Sequence, residues 1–175
     1  MGLAGKKSVF AHAIHLTDDE WQSIKDSDSV IAHCPTSNLF LGSVLFSLEK
    51  AEKLNIRVGI GSDVGGGTTL NLLSTLNEAY KVQSLQGETL AALKAMYMLT
   101  LGGARALSLE SYIGSFETGK EADFIILDYA VSKVQKLRYQ NAKKLNDQLF
   151  SLMMLGDERN VRASYIMGVR KFYRK

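Results

Sequence analysis

Short apolar runs that do not alternate, each ending on a polar side chain, set the pattern of the first third of the chain. Ser8-Val-Phe-Ala ends on His12, Ser29-Val-Ile-Ala ends on His33, and Arg57-Val-Gly-Ile leads through Gly61 and Ser62 to Asp63. Continuous apolar runs of this length suit strands buried on both faces. Between them the period lengthens to that of a helix. Thr17-Asp-Asp-Glu20 has capping-box spacing, in which the Thr17 hydroxyl accepts from the Glu20 amide and Glu20 reaches back; a helix is predicted over 18–25. Val44, Leu45, Leu48, Ala51 and Leu54 recur at helical spacing, with Glu49, Lys50, Glu52 and Lys53 on the other face. Pro35-Thr-Ser-Asn38 reads as a turn. A helix from residue 70 carries Leu72, Leu73, Leu76 and Tyr80 inward, and 90–107 reads as helix interrupted at Gly102-Gly103. Strands and helices in alternation imply parallel strands with crossover helices, an α/β arrangement.

The character changes near Ser111. Residues 113–127 read as short strands and turns, 148–155 as helix and 163–173 as strand. The chain divides on this reading into 1–110, a strand-and-helix unit, and 111–175, a mostly β segment with an inserted helix. No internal repeat or low-complexity tract interrupts either part.

Length and charge narrow the picture. The 175 residues are enough for a real core but too few for a complete (β/α)8 barrel of roughly 250 residues. The net charge is +3, with Lys and Arg gathered in 133–144 and 159–175. No DNA- or RNA-binding motif accompanies them, so they read as a solvated face and no nucleic-acid partner is expected. The single cysteine, Cys34, excludes an internal disulfide framework or a Cys-rich zinc knuckle and fits a reducing compartment. Residues 1–7 lack the apolar core of a signal peptide, and no apolar run approaches a membrane span. A cytoplasmic protein with no membrane partner is the expectation.

Candidate chemistry sits at the strand tips. An aspartate at the carboxyl end of a buried strand, such as Asp63, stands where barrels place catalytic groups and can ligate a metal or accept a proton. Equally, Asp63 can cap the next helix or satisfy loop amides. The glycines after it fail both phosphate-loop patterns: Val64 stands where the dinucleotide pattern needs Gly, and Gly67 where the Walker pattern needs Lys. They read instead as a tight turn that approaches a ligand. His12 can be a general base or a substrate contact; a lone His taken by itself reads more readily as a satisfied core histidine. His12 and His15 make at best a weak metal pair. His33 and Cys34 are neighbours and face opposite ways along a strand, which argues against a Cys-His couple. The plain reading of His33 and Asn38 is bonding to loop backbone. Met96, Met98, Met153 and Met154 read as core or interface filler. No His-x-His and no His-x-x-Glu occurs, so any metal site within the chain is incomplete.

Ala11-His-Ala-Ile-His-Leu-Thr17, Ala32-His-Cys-Pro-Thr-Ser-Asn38 and Gly61-Ser-Asp63 together resemble the amidohydrolase superfamily, in its branch of aminohydrolases acting on heterocyclic amines. Residues 113–127, with Gly-Lys-Glu-Ala-Asp-Phe at their centre, are similar to the segment returning from that family's barrel to a small β-sandwich. Ser62-Asp-Val-Gly-Gly-Gly-Thr, Asn77-Glu-Ala-Tyr-Lys81 and Leu155-Gly-Asp-Glu-Arg-Asn160 resemble the guanine deaminase group within it. The resemblance implies the carboxyl-terminal part of a (β/α)8 TIM-type metal-dependent hydrolase barrel, over 1–110, plus part of a small β-sandwich, over 111–175. It implies hydrolysis of guanine, a small-molecule purine base, to xanthine and ammonia, and a homodimer in the full-length form.

Zinc, one divalent ion, is the implied cofactor. The family holds it by a His-x-His after the first strand, a His after the fifth and an Asp after the eighth, and Asp63 matches that Asp. His12 matches the His after the sixth strand, which contacts the substrate or the attacking water. Catalytic roles thus fall to His12 and Asp63, substrate binding to His12 and metal binding to Asp63. The strands carrying the other ligands and the proton-shuttling Glu precede His12 in the family and lie outside this chain. The resemblance leaves open a deaminase or hydrolase of another heterocyclic amine, or a noncatalytic remnant that binds a partner.

Overall fold

The apolar runs do form parallel strands. The computed structural model describes residues 4–175; residues 1–3, the start of the stretch read above as lacking a signal peptide, lie outside the described residues. Strands β1 (Val9–Ala11), β2 (Val30–His33) and β3 (Val58–Ile60) make one parallel sheet in the order β1-β2-β3. Helix α1 (Asp18–Asp26) joins β1 to β2, and α2 (Pro35–Phe40) and α3 (Leu48–Lys53) join β2 to β3. α1 starts where the capping box places it: Glu20 N donates to Thr17 Oγ1 at 3.3 Å, and Thr17 N to Glu20 Oε2 at 2.8 Å. Helices α4 (Leu72–Ser84), α5 (Ala92–Leu99) and α6 (Leu101–Ala106) follow. Then come β4 (Phe124–Leu127), α7 (Lys133–Asn141), α8 (Leu145–Leu155), a 3-10 turn at Glu158–Asn160, and the strands β5 (Val161–Ile166) and β6 (Val169–Tyr173). β4, β5 and β6 form a second, antiparallel sheet in that order.

Several elements differ from the sequence-based expectation, each for a local reason. Pro35-Thr-Ser-Asn38 is the body of α2, not a turn, because proline at a helix's first position has its φ already set and gives up only an amide with no helical partner. The helix expected over 44–54 begins at Leu48, where the Ser47 hydroxyl accepts from the Lys50 amide at 3.1 Å; Val44 is exposed ahead of it. Leu72 also lies at the surface and not inward. The break in 90–107 falls at Thr100, whose hydroxyl bonds back to the Met96 carbonyl at 2.8 Å. Gly102 and Gly103 lie inside α6 and serve close approach: a Cβ on Gly102 would stand 2.7 Å from the Tyr97 ring, and one on Gly103 3.0 Å from the Met98 carbonyl. Residues 163–173 are two strands, turned at Met167 and Gly168, both with positive φ. Helix α7 was not expected as a helix, and α8 starts three residues earlier than read.

One core gathers Trp21, Ile24, Ile31, Phe46, Leu76 and Leu90 under the parallel sheet and its helices. Met153 of α8 joins that core fully buried, so the later part of the chain packs directly on α4 and α5. Asn77 Nδ2 donates to the Met154 carbonyl at 2.7 Å, and a Cβ on Gly156 would meet Leu73 Cδ1 at 2.9 Å. The stretches 77–81 and 155–160, far apart in sequence, are thus linked through one joint. A buried amide pair locks it: Gln135 Nε2 donates to the Leu155 carbonyl at 2.7 Å and to Asn160 Oδ1 at 3.1 Å, while Asn160 Nδ2 donates to the Asp128 carbonyl at 2.6 Å. Among the described residues no helix is long and apolar enough to cross a membrane.

Candidate active site

The parallel sheet brings His12 and Asp63 together. Each residue follows its strand at the carboxyl end, His12 after β1 and Asp63 after β3, with His33 closing the strand between. His12 Nε2 lies 3.6 Å from Asp63 Oδ2, both side chains little more than one-third exposed. The backbone there is held off its ordinary conformation. His12 (φ 66°), Ala13 (φ 53°) and Asp63 (φ 47°) are all left-handed, a state non-glycine residues avoid unless the surroundings impose it. The His12 amide is fixed to the Ala32 carbonyl at 3.0 Å.

The glycines after Asp63 make the tight turn expected of them. Gly65 has φ 119°, the Gly67 amide donates to the Asp63 carbonyl, and a Cβ on Gly66 would press on Asp63 Oδ2 at 3.0 Å. Asp63 does not cap the following helix; Asn71 does, accepting from the Leu73 amide at 2.8 Å. Its carboxylate takes no loop amide among the described residues and faces His12 instead. His12, at its exposure, is no core histidine.

The other candidates separate. His15 sits exposed in the loop before α1. His33 is buried, stacked on Phe46 with ring centroids 4.7 Å apart, and neither ring nitrogen has a hydrogen-bond partner. Burial pushes its pKa down to about 3. It therefore does not bond loop backbone, contrary to the plain reading. Asn38 does not use its side chain on loop backbone either: its Oδ1 meets His12 Nδ1 at 2.8 Å. Its position in α2, hidden by the turn-like composition of Pro35-Thr-Ser-Asn38, explains why sequence reasoning gave it to loop backbone; an amide five places past a buried strand was the only signal. Cys34 is buried, its Sγ where a Cβ on Gly61 would come within 2.9 Å. Burial, aided by the Asp63 charge and opposed by a bond from the His12 backbone, raises its pKa, so it stays a thiol and is no nucleophile.

An imidazole and a carboxylate that face each other are side-chain types that a zinc site uses. A catalytic zinc takes three protein ligands and leaves a position for water. Among the described residues no group of three or more His, Cys, Asp or Glu side chains gathers. The residues present therefore fit one side of such a site and do not close it.

The sequence model of the amidohydrolase family matches residues 1–170. The chain belongs to the amidohydrolase family. It is similar to the guanine deaminase of Escherichia coli (strain K12), 52% identical over 167 residues that cover 95% of this chain and 38% of that protein. A solved structure of E. coli guanine deaminase superposes with a TM-score of 0.98 at 50% identity, over 99% of this chain and 41% of the other. Guanine deaminase from C. acetobutylicum, solved with guanine in its active site, gives 0.83 at 32% identity, over 98% and 41%. An adenosine deaminase from Xanthomonas campestris with bound zinc gives 0.82 at 26% identity, over 98% and 38%. This amidohydrolase chain thus spans about two fifths of the length of the relatives it matches, and its fold is an α/β portion of theirs.

Proposed function

We propose that this chain is the carboxyl-terminal portion of a guanine deaminase, with residues 1–110 supplying the last strands and helices of a (β/α)8 barrel and 111–175 a return into a small β-sandwich. One observation carries the reading: His12 and Asp63, on left-handed backbone at the carboxyl ends of parallel strands, face each other 3.6 Å apart. The similarity to guanine deaminases over nearly the whole chain supports guanine as the substrate. The unpaired flank supports an incomplete barrel, for β1 lies at the sheet edge with Val9 and Phe10 exposed.

The reaction is hydrolytic. Water adds to the amidine-like carbon that bears the exocyclic amine, one of its protons passes to a ring nitrogen and the other to the amine, the C–N bond breaks, and xanthine and ammonia leave. Asp63 is the residue of this chain that would hold a zinc ion, with the other ligands contributed from outside it. Such an ion, when bound, makes water acidic enough to supply hydroxide near neutral pH. Asp63 also accepts a hydrogen bond from the attacking water, and His12 orients that water or the purine base. The complete protein acts on a small-molecule purine as a homodimer.

In the full-length form, Asp63→Asn should lose metal and guanine turnover together, since a charged ligand becomes a weak neutral amide. His12→Ala should keep its metal and lose turnover. Metal analysis beside a xanthine assay reads both; normal metal content and rate in Asp63→Asn would remove Asp63 from the site. The exposed β1 edge also favours a second reading, a noncatalytic chain that pairs this edge with a partner strand. Sedimentation of the isolated chain as a stable, well-behaved monomer would count against it.

A further inference from the structure

We infer that Asn38 is a positioning residue that holds His12 as the Nδ1–H tautomer and turns Nε2, as a bare lone pair, toward Asp63. Its meaning for turnover rests on the proposed function, but the assignment itself stands on geometry. Asn38 Oδ1 lies 2.8 Å from His12 Nδ1, a hydrogen-bonding distance, whereas Asp63 Oδ2 stands 3.6 Å from Nε2, beyond one. An amide oxygen only accepts, so the ring proton sits on Nδ1.

Burial decides the competition between the two acceptors. Asn38 is almost fully buried and its Nδ2 has no hydrogen-bond partner, so His12 is the one side-chain partner of this amide among the described residues, and losing it would leave the oxygen to bear the full desolvation cost as well, while Asp63 stays open enough for water to satisfy it. Asn38 is also rigidly mounted. Its amide donates to the Cys34 carbonyl at 3.2 Å, its carbonyl accepts from the Ser43 amide at 2.7 Å, and its neighbours Pro35, Thr36 and Ser37 are buried.

The consequence is directional. His12 Nε2 and Asp63 Oδ2 are then both acceptors, 3.6 Å apart. A single water beside the pair, within reach of both, can donate to each. In the proposed reaction His12 Nε2 orients the attacking water by accepting a hydrogen bond from it and does not donate to it. A free imidazole prefers the opposite tautomer, so the preference must be imposed by Asn38.

Nitrogen-15 NMR of the 175-residue chain, with labelled histidine and a pH above the range where imidazole titrates, reads each ring nitrogen. Three histidines are present, and His12→Ala assigns one set of signals. His12 should show Nδ1 protonated and Nε2 bare. Asn38→Ala should make the Nε2–H form the majority, with the signals of His33, stacked on Phe46, unmoved as the mark of an intact fold. Asn38→Asp restores an acceptor and should restore Nδ1–H. A proton on Nε2 in the unsubstituted chain, as an amide turned to present Nδ2 would give, overturns the inference whatever the variants do. So does an unchanged Nδ1–H form in a folded Asn38→Ala. Turnover is not part of this readout: a wrong tautomer leaves the hydrolase proposal standing, and absence of guanine turnover leaves the tautomer standing.

Discussion

His33 shows how burial alone sets the chemistry of a residue. Its folded pKa of about 3 lies well below the ordinary 6.5. The unfolded chain takes up a proton as pH falls through 6.5, and the native chain does not until about 3. The unfolded state therefore binds more protons across that window, and stability is lost as pH drops through it, by up to about 1.4 kcal/mol per pH unit. His33→Phe keeps an aromatic ring against Phe46 and removes the titration. Urea unfolding between pH 7 and 4 should show a flatter pH dependence in His33→Phe than in the parent; equal slopes would contradict the assignment. At this scale the sequence was informative about position and less so about partners. His12 and Asp63 could be singled out because each ends an apolar run. Asn38 was named but given the wrong partner, because its bond to His12 joins the ends of two neighbouring strands and depends on α2 being a helix.

At the scale of elements, local chemistry was legible where it is written in adjacent residues. The Thr17–Glu20 capping box is one such case, and the three apolar strands are another. Helix α7 was not legible, since Val134 and Leu137 stay exposed and no apolar stripe marks it; it is anchored by one buried amide, Gln135. The glycine pair in α6 was misread as a break because glycine marks both a stop and a close approach, and only the position of Tyr97 decides between them. Gly102→Ala should therefore overpack the α5–α6 junction and cost ~1–3 kcal/mol. Gly5→Ala, with nothing near the added carbon, should change stability by less than about 0.5 kcal/mol. Chemical denaturation of the two variants gives the comparison, and equal midpoints would remove the packing role of Gly102.

At the scale of the whole molecule, the chain holds a parallel and an antiparallel sheet with their helices, and β1, an edge strand of the parallel sheet, faces solvent through Val9 and Phe10. The parallel pairing of the strands was readable from the alternation of strand and helix, and the incompleteness of the site from the missing His-x-His. What would complete the barrel proposed above is not written in these residues, because contacts across a closed barrel join segments far apart in sequence. Asp63 with one nearby imidazole falls short of the three protein ligands a catalytic zinc takes. Calorimetric titration of the isolated chain with zinc should accordingly show no tight stoichiometric binding; a submicromolar site would prove that account wrong.

The central claim is that His12 and Asp63 belong to a guanine-deaminating site whose remaining parts lie beyond this chain. Guanine turnover by a chimera tests it most directly, with residues 1–175 replacing the matching portion of the E. coli guanine deaminase they resemble at 52% identity. The account predicts a zinc-loaded chimera that converts guanine to xanthine and loses this activity on Asp63→Asn. A folded, zinc-loaded chimera that leaves guanine untouched, or one in which Asp63→Asn turns over guanine normally, would contradict it.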